Sequence, residues 1–208
     1  MYMRNVTPRG LSFSKTEIDH LWKSWLAISI AFAIAMTGFN FLNAGFYLAI
    51  IISAFTVGIG FLMHELSHKF TAQYYRCHAE YRANFQMLFF ALISSLFGIV
   101  FAAPGAVMID GHINKKQYGI ISLAGPLANI VLSLLFVLLG VFFSSGIISI
   151  VVFYGFSINT WLALFNLIPF GMFDGKKILN WDRKVYFIVV AAFFAVRIAG
   201  GFALGGGF

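Results

Sequence analysis

Hydrophobic positions run through this chain in long unbroken stretches, set apart by short polar or glycine-containing segments. Trp25–Leu42, Phe46 to about Tyr75, Gly119–Phe143, Ile147–Ile168 and Val185–Leu204 lie near the ~20 apolar residues that carry a helix across a bilayer. That pattern predicts an all-α polytopic membrane protein with about five or six transmembrane helices. Two segments break the rhythm. Arg76–Met87, RCHAEYRANFQM, is polar and roughly alternating, as a strand would be. Leu88–Phe101 is apolar but only about 14 residues long, too short to cross. Ala102-Ala103-Pro104-Gly105 ends it, Ala106–Ile109 reads as a second short strand, and Asp110-Gly111-His112 as a turn. Ahead of the first run, Ser14-Lys15-Thr16-Glu17 has the spacing of a helix start, with Ser14 at the N-cap and Glu17 at N3 of a short interfacial helix.

Composition agrees with this picture: 61% of the 208 residues are hydrophobic, 10% are charged, and the mean hydropathy is +0.89. No polar stretch is long enough for a separate soluble domain. Residues 1–208 are therefore expected to form one membrane-embedded domain, with 1–24 a polar N-terminal segment and 25–204 the transmembrane core. The first apolar run follows a long polar start and lacks a small-residue cleavage site, so it reads as a retained helix. The net charge of +7 does not indicate a nucleic-acid partner, because the basic residues stand in short groups between apolar runs. Thirteen of the fourteen Lys and Arg fall before Trp25, in Lys69–Arg82, at Lys115–Lys116 and in Lys176–Lys184. The positive-inside rule assigns all four groups to the cytoplasm. For Arg82 and Lys115 to share a side, Leu88–Ile109 must enter and return as a re-entrant or interfacial element. Arg197, the fourteenth, falls ~18 Å into the last span if helical and is expected to snorkel outward.

Within the second span, His64-Glu65-Leu66-Ser67-His68 places three ionisable side chains in a segment otherwise suited to lipid, where such groups are costly. His64 and His68 lie about 40° apart on one helix face, a spacing at which two imidazoles share a zinc ion with Glu65 beside its open positions. Topology selects the third ligand. The run ending at Ile168 travels in the same direction as the second span, so it delivers Asn166-Leu167-Ile168-Pro169-Phe170-Gly171-Met172-Phe173-Asp174-Gly175 to the same side, with Asp174 the best-placed carboxylate. Asp110 is the competing ligand, in an apparent surface turn. Glu80 reads as an ion partner of neighbouring basic residues, His20, His78 and His112 as interfacial polar residues, and Asp182 as loop. Cys77 is the single cysteine, which excludes an internal disulfide or a multi-thiolate site.

These residues resemble the site-2 proteases, intramembrane zinc metalloproteases, and most closely their archaeal members. The resemblance rests on His64-Glu65-Leu66-Ser67-His68, on Asn166-xx-Pro169-xxxx-Asp174-Gly175, and on the Ala-Gly-Pro-Leu-Ala-Asn string ending at Asn129, and it covers roughly Val57 to Leu179. It implies one zinc ion per chain held by His64, His68 and Asp174, Glu65 as catalytic base, and Asn166 in substrate binding or oxyanion stabilisation. It further implies cleavage of peptide bonds within or near transmembrane segments of membrane-protein substrates. The expected setting is the lipid bilayer of the cell membrane, with the N-terminus and active site towards the cytoplasm. Gly171 departs from the family, many members having a second proline there, and Leu88–Phe101 is longer than a minimal member needs. A substrate helix must unwind before attack, and Ala106–Ile109 is the candidate edge to hold it. The alternative is a non-enzymatic transporter or metal-binding protein. A zinc protease drawing a later glutamate as ligand is disfavoured, since no Glu follows Glu80.

Overall fold

The computed structural model describes residues 12–40, 42–100, 104–143 and 145–205. Arg4, Arg9, Ser144 and the expected break at Ala102-Ala103 lie outside them. Among the described residues, five helical segments are long and apolar enough to cross a membrane, as expected of a polytopic all-α protein. The elements run α1 (Lys15–Thr37), α2 (Ala44–Ser53), α3 (Ile59–Tyr74), β1 (His78–Ala83), α4 (Phe85–Ser95), β2 (Gly105–Asp110), α5 (Lys115–Phe142), α6 (Gly146–Asn166), α7 (Asp174–Trp181) and α8 (Arg183–Ala203).

α2 and α3 are one rod joined by a π-helical segment, Ala54–Gly58, where the Ile59 N–H reaches back to Ala54 O. The widened turn also leaves that carbonyl open to the Trp25 indole, which donates to it over 3.2 Å. An insertion of this kind turns the face of the helix that follows, and such bulges recur next to functional sites.

The first helix differs from the expected Trp25–Leu42. Ser14 accepts the Glu17 N–H (3.1 Å), as an N-cap should, but the helix it starts continues without a break into the membrane run. The reason is tertiary. Glu17 does not complete a capping box; its carboxylate is fully buried, takes Lys69 of α3 as ion partner, and accepts the Tyr81 N–H of β1 at 3.0 Å. Ser24 adds a bond to the Tyr81 hydroxyl at 2.9 Å. The opening turns of α1 are thereby bolted to α3 and to the sheet.

β1 and β2 form an antiparallel pair running from His78 opposite Asp110 to Ala83 opposite Gly105. The described ends of the intervening segment are thus neighbours, as the re-entrant or interfacial reading of Leu88–Ile109 requires. β1 is shorter than the expected Arg76–Met87, because Asn84 accepts the Met87 N–H and starts α4 at Phe85. The outer edge of β1 is closed by α1: Tyr81 donates to Glu17, and Ala83 donates to His20 Nδ1 at 3.1 Å. His20 is therefore a half-buried structural group and not the surface residue expected. In an antiparallel pair, opposed residues turn their backbone groups the same way, towards or away from the ladder. Gly105, Val107 and Ile109, opposite Ala83, Tyr81 and Ala79, hence face outward from β2. Among the described residues, no strand pairs with this outer edge of β2.

α5 is the central span, packing on α3, α6, α7 and α8. It starts at Lys115, earlier than the expected Gly119, behind a capping box in which Asn114 and Gln117 bond reciprocally. The polar segment at Asp174 is the short helix α7, with Ile178 fully buried against Leu167, Tyr186 and Phe193. Asp182, expected as loop, caps α8 by accepting the Lys184 and Val185 N–H groups at 2.8 and 3.1 Å.

Candidate metal centre

The rod of α2–α3 carries His64, Glu65 and His68 into the protein interior, where all three are buried. The break after α6 brings Asp174, the first residue of α7, to the same point. Asp174 Oδ2 lies 3.0 Å from His68 Nε2 and 3.4 Å from His64 Nε2, and the two Nε2 atoms are 3.0 Å apart. Ligand atoms on a tetrahedral zinc at ~2.0–2.1 Å are separated by roughly 3.3 Å, so the spacing suits one ion.

Proton placement supports the same reading. His68 Nδ1 lies 2.7 Å from the Ile121 carbonyl oxygen, which can only accept. That nitrogen therefore carries an N–H, so Nε2, which faces Asp174 and His64, is the ring nitrogen free to bind a metal. Two imidazole nitrogens and a carboxylate oxygen in close buried contact suit a cation shared among them. Space for it is provided by Gly125. A Cβ built there would lie 2.6 Å from His64 Nε2 and nearer still to His68 Nε2, in the hollow that these two nitrogens face. The donor set and the cradle both fit zinc.

The second oxygen of Asp174, Oδ1, takes the Lys177 ammonium at 3.0 Å. Burial would lower the Lys177 pKa, yet the Asp174 charge prevails and raises it, so this cation stays charged.

Glu65 and Asn166 line the same cavity of about 1260 Å³, together with the metal cluster and the whole of β2. The Asn166 amide donates to Leu162 O of its own helix at 2.9 Å. The other candidates stand apart from the cluster. Asp110 lines the cavity at the end of β2. Glu80 pairs with Arg82 and lies 3.7 Å from His78. His112 is exposed. Arg197 is half-buried, its guanidinium 5.5 Å from the centre of the Phe156 ring.

Two asparagines received no role from the sequence. Asn129 Oδ1 lies 2.7 Å from His64 Nδ1, and Asn159 bonds Asn129 in turn; both are fully buried. The usable signal was an amide side chain in the middle of an apolar span, where a polar group must find an internal partner.

The fold and this cluster define a multi-pass membrane protein with a buried two-histidine, one-aspartate cluster that could hold one metal ion. The chain is 39% identical over 180 residues to a protein of Methanocaldococcus jannaschii named "Putative zinc metalloprotease", covering 85% of this chain and 90% of that relative. It belongs to that zinc metalloprotease family, and zinc is the metal its centre takes. No family model and no solved structure matches the chain.

Proposed function

We propose that the protein is an intramembrane protease of the site-2 type, hydrolysing peptide bonds within or near transmembrane segments of membrane-protein substrates. One observation carries the reading: a buried His64–His68–Asp174 cluster, with Glu65 beside it, opens on a cavity also lined by β2, whose outer edge has no strand partner among the described residues. Zinc held by three protein ligands supplies Lewis acidity and makes a water more acidic. Glu65 takes the proton of the attacking water and passes it to the leaving amine, leaving a carboxylic acid and a free amine as products. Asn166, on the cavity wall, orients the scissile segment or stabilises the carbonyl oxygen as it gains charge. The outward backbone groups of Val107 and Ile109 pair with an unwound stretch of substrate, as an added strand. Lys115, Lys176 and Lys177 also line the cavity. Their place beside the site supports an orientation with the active site towards the cytoplasm.

The test compares zinc-loaded protein with Glu65→Gln on a panel of transmembrane peptides. The wild type is expected to cleave, and the variant to retain zinc without turnover. A Glu65→Gln protein that still cleaves removes Glu65 from the base role, and a zinc-loaded wild type that cleaves nothing returns the protein to a non-enzymatic metal-binding reading.

A further inference from the structure

We infer that Asn159 and Asn129 form a relay, starting on α6, that fixes which nitrogen of His64 is offered to the metal. The relay begins at a backbone carbonyl. Asn159 Nδ2 lies 2.8 Å from Gly155 O, which accepts and cannot donate, so the Asn159 amide has one orientation and its Oδ1 faces the other way. That Oδ1 accepts from Asn129 Nδ2 at 3.0 Å. The second hydrogen of Asn129 Nδ2 goes to Gly60 O, also at 3.0 Å. Flipping the Asn129 amide would set its oxygen against two acceptors, and each is buried where no water relieves the clash. Asn129 Oδ1 is therefore pinned opposite His64 Nδ1 at 2.7 Å, and being an acceptor it requires Nδ1–H there.

The consequence for the ring is that Nε2 carries the lone pair, the same state that Ile121 O imposes on His68. α5 thus orients both imidazoles, one through a backbone carbonyl and one through a side chain that must itself be held. Gly60 makes the arrangement possible: a Cβ there would collide with Asn159 Oδ1 and lie 3.1 Å from its Cγ. Asn129 and Asn159 are positioning residues, acting on the metal through His64 without touching it. The inference rests on His64 as a metal ligand and not on proteolysis, so its failure leaves the protease reading to its own test.

The test uses the full chain in lipid nanodiscs, labelled with ¹⁵N-histidine and stripped of metal. Ring ¹⁵N spectra are recorded at mildly alkaline pH, where imidazoles are neutral. The His64 signal is assigned by its loss in His64→Gln. Zinc affinity is measured separately by competition with a chelating indicator. His64 in the wild type is expected to show Nδ1–H. Asn129→Leu is expected to shift it towards Nε2–H and to weaken zinc binding by roughly 10–100-fold, the usual effect of losing such a partner. Asn129→Ala, which removes the acceptor without adding bulk, should shift the ring signal in the same way, which covers the case in which Asn129→Leu does not fold. Asn159→Leu should move both readouts in the same direction as Asn129→Leu but less. A wild-type ring found as Nε2–H overturns the inference, as does an Asn129→Leu protein with unchanged signal and zinc affinity. Loss of thermal stability in Asn159→Leu with neither readout moved removes Asn159 from the relay and overturns it as stated.

Discussion

At the scale of single residues, a missing atom is as informative as a charged one. Gly125 packs directly on His64 Nε2 and His68 Nε2, so the methyl group of Gly125→Ala would press on the two nitrogens that face Asp174. Its Cβ must displace the imidazoles, and we expect the variant to lose zinc binding by at least tenfold in a chelator competition, with circular dichroism checking that the fold is kept. A variant that binds zinc like the wild type would mean the hollow is not where the ion sits. Glu17 makes the complementary case. Its carboxylate and the Lys69 ammonium are both fully buried, and removing one partner strands the other. Glu17→Ala is expected to cost about 3–5 kcal/mol in reversible unfolding. Most of the loss should be recovered in Glu17→Ala combined with Lys69→Met, which removes both charges. A double variant no more stable than the single one would argue that the Tyr81 N–H left without its acceptor dominates instead.

At the scale of elements, the sheet is a two-sided device with one side already used. Proline substitution separates the sides. The Val107 N–H points away from β1, so Val107→Pro leaves the ladder whole while removing a donor from the open edge. The Met108 N–H points into the ladder opposite Glu80, so Met108→Pro breaks it. We expect Val107→Pro to keep zinc and stability but to lower kcat/KM for a transmembrane peptide at least tenfold, whereas Met108→Pro should destabilise the protein. Full turnover by Val107→Pro would exclude β2 as the substrate edge. Much at this scale was legible in the chain itself. Membrane spans are readable because lipid demands ~20 apolar residues with no exposed backbone, and His64 and His68 because one helix turn brings them together. The pairing of β1 with β2 could be anticipated only as two short strands. The closure of β1 by Glu17 and His20 was hidden, because their strand partners, Tyr81 and Ala83, lie 64 and 63 residues away and nothing local marks them. The early start of α1 was hidden for the same reason: its first turns are held by contacts with α3 and β1, not by an apolar run. The π segment at Ala54–Gly58 has no composition that sets it apart from the helix on either side.

At the scale of the whole molecule, the candidate metal cluster joins α3 to α7, which the chain separates by β1, α4, β2 and the spans α5 and α6. α3 supplies two ligand atoms and α7 the third, and the loop from Leu167 to Phe173 exposes Phe170 and Met172. α7 is anchored on its inner face by Ile178, but at its start Asp174 is held by the imidazoles and by Lys177. The two Nε2 atoms and Asp174 Oδ2 turn to one point, so a cation shared among them would tie α3 to α7. Zinc removal should therefore act on stability as well as on chemistry. With free zinc at ~100 times its Kd, the bound state gains about 2.7 kcal/mol by mass action, and chelation should lower Tm accordingly. Hydrogen exchange should rise first across residues 167–181, while α1 and β1, held by Glu17, stay protected. Glu65→Gln should keep the zinc-dependent rise in Tm even with turnover gone, because Glu65 stands beside the ligand set and not in it. If chelation changes neither Tm nor exchange near α7, the ion does not tie these helices together, and His64, His68 and Asp174 meet for a reason other than zinc.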